Sequence, residues 1–418
     1  MKYKIGAIDH YWALTRATIC YALVCSGPVD VEILRQAFDL LCRKYPMLGG
    51  HLELVDGECH LRLPDTAHPT AAVTVVDGPI PAWLEHGIAP MDPTRALARL
   101  EVVQDGHNTA IGLQVSHAVA DGRLGFQMLR DLCRFFAFGA DMAPPDTAPV
   151  YPRGIEDVCA ARDFDIPQLE LRNPGGLFTV PAVVESEGLG FRVAPTARIR
   201  KSVEATDRLV RYARVQGTTL HALVSAAIIR AERAMVSLAG EAEGEELPML
   251  KMHVIDLRAH LQPPAELGEV TNALGLGPTA VMCAPDTDMV GLGKEIKQQL
   301  IDRIESGQGL AIMLDQAQES VRGEELVEPS SGFISNLGVI APFAHPAGIE
   351  YLDFRGLVIL DPQVRDPNVC YFVFSFGGRL LIEIACAARN HSPDQIARLS
   401  REISDNLDDL ALALEDTQ

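Results

Sequence analysis

Val115-Ser116-His117-Ala118-Val119-Ala120-Asp121-Gly122 stands where a strand should stop and a helix should start. Upstream, Asn108 to Ser116 (NTAIGLQVS) reads as a buried strand. Downstream, Arg123 to Phe138 carries Leu124, Met128, Leu132, Phe135 and Phe136 at helical spacing. A short loop held by two rigid elements is a place for chemistry. A histidine there can accept a proton near neutral pH. Asp121, four residues on, and Gly122, which would let the backbone turn tightly, can set the loop's shape. None of the other histidines among the 12 has an aspartate at +4. The pattern suits a general base. The competing reading is a satisfied structural histidine with Asp121 as the N-cap of the following helix.

Working outward, HLELV-Asp56-Gly57-ECHLRL is a hairpin signal, and Leu97 to Gln104, Asp105-Gly106, then Asn108 to Ser116 is a second. Asp30 caps a helix Val31 to Lys44, which Pro46 ends. The N-terminal MKYKIGAIDHYWALTRATICYALVC is interrupted by Asp9, His10 and Arg16, and reads as an alternating strand rather than a signal peptide. From about 139 to 190 the texture turns Pro-rich (MAPPDTAPVYP, RNPGGLFTVPAVV), which marks a connecting region. A second half follows. It has helices Thr206 to Gln216 and Thr218 to Ala234, a strand Met249 to Leu257, a helix Asp286 to Ile304, strands to Ala387 and a helix from Pro393. Gly377-Gly378 reads as a hairpin turn. Mixed strands and helices in two halves give α/β or α+β sandwiches.

The 418 residues exceed one ordinary core, and 48% apolar content can fill two. No uninterrupted apolar run is long enough to predict a transmembrane helix. Nine cysteines without a CxxC pair point to a reduced, cytoplasmic chain. A net charge of -20 argues against nucleic acid as a partner. No HExxH or Cys/His spacing suggests a metal, and no GxSxG or GxGxxG in context suggests a serine hydrolase or dinucleotide fold.

SHAVADG resembles the HHxxxDG signature of the CoA-dependent acyltransferase superfamily, which includes chloramphenicol acetyltransferase and nonribosomal peptide condensation domains. Above all the chain resembles the polyketide-associated acyltransferases, typified by the phthiocerol dimycocerosyl transferases. The likeness extends through DVEILRQAFDLLCRKYPMLGGHLE (30 to 53), GTTLHALVSAAIIRAE (217 to 232), HVIDLRAHLQPPAELGEVTNALGLG (253 to 277), FISNLG (333 to 338) and FSFGGRLLIEIACAARNHS (374 to 392). It covers almost the whole chain, in order. Ser116 replaces the first histidine of the motif; the catalytic second one matches His117. The departure bears on substrate positioning more than on the base.

The resemblance implies two chloramphenicol-acetyltransferase-like lobes in a V, with an active-site tunnel between them. We place the division at 1–180, carrying the HxxxDG motif, and 181–418. It implies an O-acyltransferase that moves an acyl chain from CoA or an acyl carrier protein onto a lipid or polyketide alcohol. His117 would be the base, with no acyl-enzyme and no metal. The phosphopantetheine thioester would be a co-substrate, not a bound cofactor, and the chain a monomer. Amide formation by a stand-alone condensation enzyme and a catalytically silent binding protein are the alternatives. Asp121 is carried with His117 as a catalytic residue of the motif, and the resemblance pairs it with Arg258 of IDLR in a loop-shaping ion pair beside Gly122; an ordinary surface pair is the competing reading.

Ser116, Asn272, Ser335 and Asn336 are candidates for substrate binding. Each also has a bland reading: a strand-end hydroxyl for Ser116, a turn residue for Asn272, strand-end hydrogen bonding for Ser335 and Asn336. His10 either faces the same tunnel or is structural, and His253 reads as core. Arg208, Arg211 and Arg214, with Lys294 and Lys297 as a shorter stripe, either meet donor phosphates or form solvated helix faces.

Overall fold

The computed structural model describes residues 2–63, 72–139, 148–169, 178–181, 195–238, 244–323, 332–359, 369–386 and 390–414. Much of the Pro-rich connecting region lies outside them, as do residues 387–389 of the FSFGGRLLIEIACAARNHS segment.

The first half runs β1 (Lys2–Lys4), α1 (Ala7–Leu14), β2 (Thr18–Ser26), α2 (Val31–Lys44), β3 (His51–Val55), β4 (Glu58–Arg62) and β5 (Ala72–Val76). After a short helical turn, α3 (Ile80–Ala82), come β6 (Ala98–Gln104), β7 (Asn108–Ser116), α4 (Gly122–Phe138) and the short α5 (Ile155–Ala160). The second half runs β8 (Pro195–Arg200), α6 (Val203–Val215), α7 (Leu220–Leu238), β9 (Leu247–Asp256), β10 (Leu274–Cys283), α8 (Met289–Glu305) and α9 (Gln308–Arg322). It ends with β11 (Phe333–Ile340), β12 (Tyr351–Ile359), β13 (Val369–Phe376), β14 (Arg379–Cys386) and α10 (Pro393–Leu412).

Local chemistry accounts for many of these boundaries. Asp30 Oδ1 accepts from the amides of Glu32 and Ile33 and starts α2. Asp56 and Gly57 turn the β3–β4 hairpin with φ of 53° and 82°, and Gly377 and Gly378 turn β13–β14 with φ of 57° and 75°. Pro393 opens α10, with the Ser392 side chain accepting from the Gln395 amide.

Two expectations need correction. The N-terminal 25 residues are not one alternating strand: α1 sits between β1 and β2. Ile8 is fully buried, and Tyr11 and Trp12 pack on the same apolar cluster, at i, i+3 and i+4. Tertiary burial of that stripe outweighs the β-like composition. The expected run of strands after Ile304 is also broken by α9. Its Leu310, Met313, Leu314 and Ala317 are buried at helical spacing in the same cluster.

Three sheets result. A five-stranded sheet runs β12-β2-β7-β6-β5, a six-stranded sheet β10-β9-β11-β13-β14-β8, and a small one β1-β4-β3. The first packs its apolar core under α2 and α4, the second under α6, α7 and α10. Strand β12, late in the chain, pairs with β2 of the first sheet. A third cluster joins α1 and α5 to α9 and the ends of β9 and β10. The chain's N-terminus is thereby packed against its second half, next to the end of β7. No helix among the described residues is long and apolar enough to cross a membrane.

Candidate active site

Strands β2 and β7 pair antiparallel with Thr18 opposite Ser116. This register sets the chain just before β2 beside the loop just after β7. The His117 amide donates to the Ala17 carbonyl at 2.7 Å. His117 is thereby delivered against α1, where Trp12 stacks on its imidazole with centroids 4.1 Å apart and planes at 18°. The histidine is only 5% exposed.

The loop's other wall is Val270–Ala273, which arrives from the second half. The Asp121 amide donates to the Thr271 carbonyl at 2.8 Å, and the Ala273 amide donates to Asp121 Oδ2 at 2.9 Å. Asn272, fully buried, is spent entirely on this junction. Its Nδ2 donates to the His117 carbonyl and to Asp9 Oδ1, both at 2.8 Å. Its Oδ1 therefore faces His117 Nδ1, 3.0 Å away. An amide oxygen only accepts, so Nδ1 carries the proton and Nε2 holds the lone pair. The network assigns the tautomer a general base requires.

Electrostatics here are set by burial. It pushes the His117 imidazole down to about 4, against the pull of the Asp121 carboxylate in the other direction. It pushes the Asp9 carboxyl up to about 7, against the hydrogen bonds from Asn272, Thr271 and Gly6 and with the help of nearby Glu156. At neutral pH the imidazole is therefore uncharged.

Asp121 is turned to structural tasks. Its Oδ1 accepts from the Leu124 amide and caps α4. Its Oδ2 lies 2.7 Å from Arg258 Nη1, both side chains about 95% buried. Arg258 also donates to Asp256 Oδ1 and to the Val270 carbonyl. The ion pair joins the motif loop to the second half. Gly122 differs from expectation. It adopts no left-handed conformation, and a Cβ there would meet Tyr21 Oη and Leu337 Cδ2 only at 3.4 and 3.5 Å. It opens α4 as an ordinary helical residue, and its carbonyl accepts from Tyr21 Oη at 2.6 Å.

The remaining candidates divide. Ser116 is buried, its Oγ accepting from the Ala118 amide at 3.4 Å, as a strand-end hydroxyl does. Ser335 and Asn336 sit on β11, paired with Phe372 and Val373 of β13. Asn336 Nδ2 meets His221 rather than His117. His253 is buried between His221 and Thr279. His10 lies on α1, half-buried, held below the usual range by its burial and by Lys4. Arg211 pairs with Asp207 on α6, and Lys297 donates to the Gly217 carbonyl. Among the described residues no three His, Cys, Asp or Glu side chains converge as a metal site.

Sequence reasoning missed Asp9 and Trp12. The available signal was an acid inside an apolar stretch, IDHYW, whose Ile8 and Trp12 stand at helical spacing.

The family described as the phthiocerol/phthiodiolone dimycocerosyl transferase C-terminus matches residues 191–385. A phthiocerol/phthiodiolone dimycocerosyl transferase from Mycobacterium sp. (strain JLS) is 27% identical over 420 residues, covering 96% of each chain. The enzyme of the same description from Mycobacterium ulcerans is 25% identical over 384 residues, covering 85% of each. Among solved structures, polyketide synthase associated protein 5 from Mycobacterium tuberculosis superposes with a TM-score of 0.74 at 23% identity, over 97% of this chain and 96% of that one. A trichothecene 15-O-acetyltransferase from Fusarium sporotrichioides gives 0.71 at 12% identity, over 98% and 94%. In sequence along its length the chain is similar to the phthiocerol/phthiodiolone dimycocerosyl transferases, it shares the fold of polyketide synthase associated protein 5, and it is an acyltransferase.

Proposed function

We propose that this acyltransferase moves an acyl chain from a CoA or acyl-carrier-protein thioester onto a hydroxyl of a lipid or polyketide-type alcohol, with His117 as general base. The observation that carries the reading is the bond from His117 Nδ1–H to Asn272 Oδ1. It leaves Nε2 unprotonated and the ring fixed between Trp12 and Asn272. The names of the curated relatives supply the substrate class.

The steps balance without a covalent enzyme intermediate. Nε2 takes the proton of the acceptor hydroxyl as its oxygen attacks the thioester carbonyl. The tetrahedral oxyanion collapses, the C–S bond breaks, and the imidazolium returns the proton to the departing thiolate. In this reading the 1–180 lobe brings the base. The 181–418 lobe brings Asn272, which sets its tautomer, and Arg258, which holds Asp121 in the loop. Donor and acceptor would reach His117 through a tunnel between the lobes. The thioester is consumed as substrate, so the reaction calls for no resident cofactor or metal.

The test is thiol release from acyl-CoAs of graded length, C2 to C20, with 1-octanol as acceptor. Wild type is run beside His117→Ala. Release that needs both acceptor and His117 is expected. Release unchanged in the variant would sink the mechanism. An amine acceptor turned over in preference to the alcohol would move the assignment to amide formation.

A further inference from the structure

We propose that Asp9 is a positioning residue for His117: through the amide of Asn272 it holds the imidazole and favours its charged form. The inference rests on His117 being the base. It begins from a need that the motif leaves open. A base buried this deeply must become an imidazolium during the reaction, and Asp121 is already committed to Arg258, Leu124 and Ala273. The structure puts a second carboxylate in line. Asp9 is 2% exposed at the third residue of α1, and its Oδ1 accepts from the Asn272 Nδ2 at 2.8 Å. That bond, with the one from the same nitrogen to the His117 carbonyl, keeps the amide from flipping. A flipped amide would present a donor to Nδ1, move the proton to Nε2 and remove the base.

The surroundings serve both protonation states of Asp9. Thr271 Oγ1 lies 2.8 Å from Asp9 Oδ2 and 3.0 Å from the Arg153 carbonyl. When Asp9 is ionised, the threonine hydroxyl donates to the carboxylate. When Asp9 is protonated on Oδ2, its hydroxyl donates to Thr271, which donates to the Arg153 carbonyl. No heavy atom has to move. Burial pushes the carboxyl up to about 7, so both states are populated near neutrality.

Other charged and titratable groups face this carboxyl from each neighbouring element. Glu156 of α5, whose Oε1 accepts from the Ala7 amide, opposes ionisation. Tyr3 of β1 and Cys59 of β4 are held up partly by the Asp9 charge. Lys4, Arg153 and Asp157 line the small cleft that reaches Asp9 and Thr271. His10 follows it on α1, and His117 with the Asp121–Arg258 pair lies beyond Asn272. Asn272 does not relay the proton: its amide would have to tautomerise. The acceptor's proton stays on Nε2 until it goes to the thiolate, while the negative Asp9 stabilises the cation across one amide.

The experiment compares wild type, Asp9→Asn, Asp9→Ala and His117→Ala. It uses the acyl-CoA and octanol assay from pH 5 to 9, beside 15N NMR of histidine-labelled protein. Asparagine at 9 mimics the protonated state: it accepts from Asn272 and donates to Thr271. The wild-type kcat should show a limb near pH 7 that Asp9→Asn lacks. Above pH 8 kcat should fall about tenfold in that variant with little change in KM, because asparagine leaves the imidazolium without the facing negative charge. Asp9→Ala should also populate the Nε2–H tautomer in the 15N spectrum. An unchanged pH profile of kcat in Asp9→Asn would overturn the proposal. Should a variant fail to fold, the 13C titration of the Asp9 carboxyl in wild type decides: a carboxyl that stays protonated up to pH 9 overturns the proposal. Full thiol release by His117→Ala would instead overturn the base itself, so the two failures are distinguishable.

Discussion

Two histidine systems occupy the two halves of this molecule, and they end differently. In the second half, Asn336 Oδ1 accepts from the Gly338 amide, so its Nδ2 donates to His221 Nδ1. His221 Nε2–H then donates to His253 Nδ1, His253 Nε2–H to Thr279 Oγ1, and Thr279 to the Lys251 carbonyl. Every step has one direction and every member is neutral. Burial pushes His221 down to about 4, as it does His117. The two rings share that downward push. They differ in the far end: a backbone carbonyl beyond His253, a buried carboxylate beyond His117. A chain that ends on a neutral acceptor holds histidines uncharged. A chain that ends on Asp9 can support a transient positive charge.

The largest expected effect separates the two systems by activity. His117→Ala should lower thiol release by roughly 10²–10⁴-fold, the usual worth of a positioned base. His221→Asn should leave turnover essentially unchanged in the same assay. Equal losses in both variants would erase the distinction.

Breaking the junction that holds the first system comes next. Arg258→Met leaves the Asp121 carboxylate buried without its partner, which should cost about 3–5 kcal/mol of stability in urea unfolding. A loss under about 1 kcal/mol would mean the pair behaves like a surface one.

Stability against pH sharpens the comparison further. His117 and His221 have folded values near 4, below the ordinary 6.5. The unfolded chain takes up those protons first, so stability is present above pH 6.5 and is lost as pH falls towards 4. For His117 alone this amounts to about 3 kcal/mol. Asp9 has the opposite sign. Its folded value near 7 lies above the ordinary 3.8, so its contribution is present below pH 4 and lost as pH rises through 7. Thermal melts of His221→Gln should lose part of the acid limb, and those of Asp9→Asn the neutral-pH decline. If Asp9→Asn melts with the wild-type pH dependence, the carboxyl is not the group that titrates.

A smaller effect is expected for Asn272→Ala. It removes one hydrogen bond to the imidazole, worth about 1–1.5 kcal/mol, or roughly tenfold in kcat. The KM should stay near wild type, because Asn272 acts on the base and not on the substrate. The smallest belongs to the exposed stripe: Arg211→Ala should shift stability by under about 0.5 kcal/mol, since its partner Asp207 is equally exposed.

Much of this was written locally. The β7–loop–α4 unit, the β3–β4, β6–β7 and β13–β14 hairpins, the cap at Asp30 and the start of α10 at Pro393 follow from periodicity and turn chemistry acting within a few residues. The motif also named His117, Asp121 and, through its likeness, Arg258, because the order of those segments is preserved along the chain. What the tertiary structure alone decided is which groups meet. Asp9 and His117 are 108 positions apart, and Asn272 another 155 on. Only the β2–β7 register and the packing of α1 against the second half bring them together. Nor could the sequence state the protonation of Asp9 or the tautomer of His117. Both depend on burial and on which amide faces which ring nitrogen, and those are properties of the packed chain.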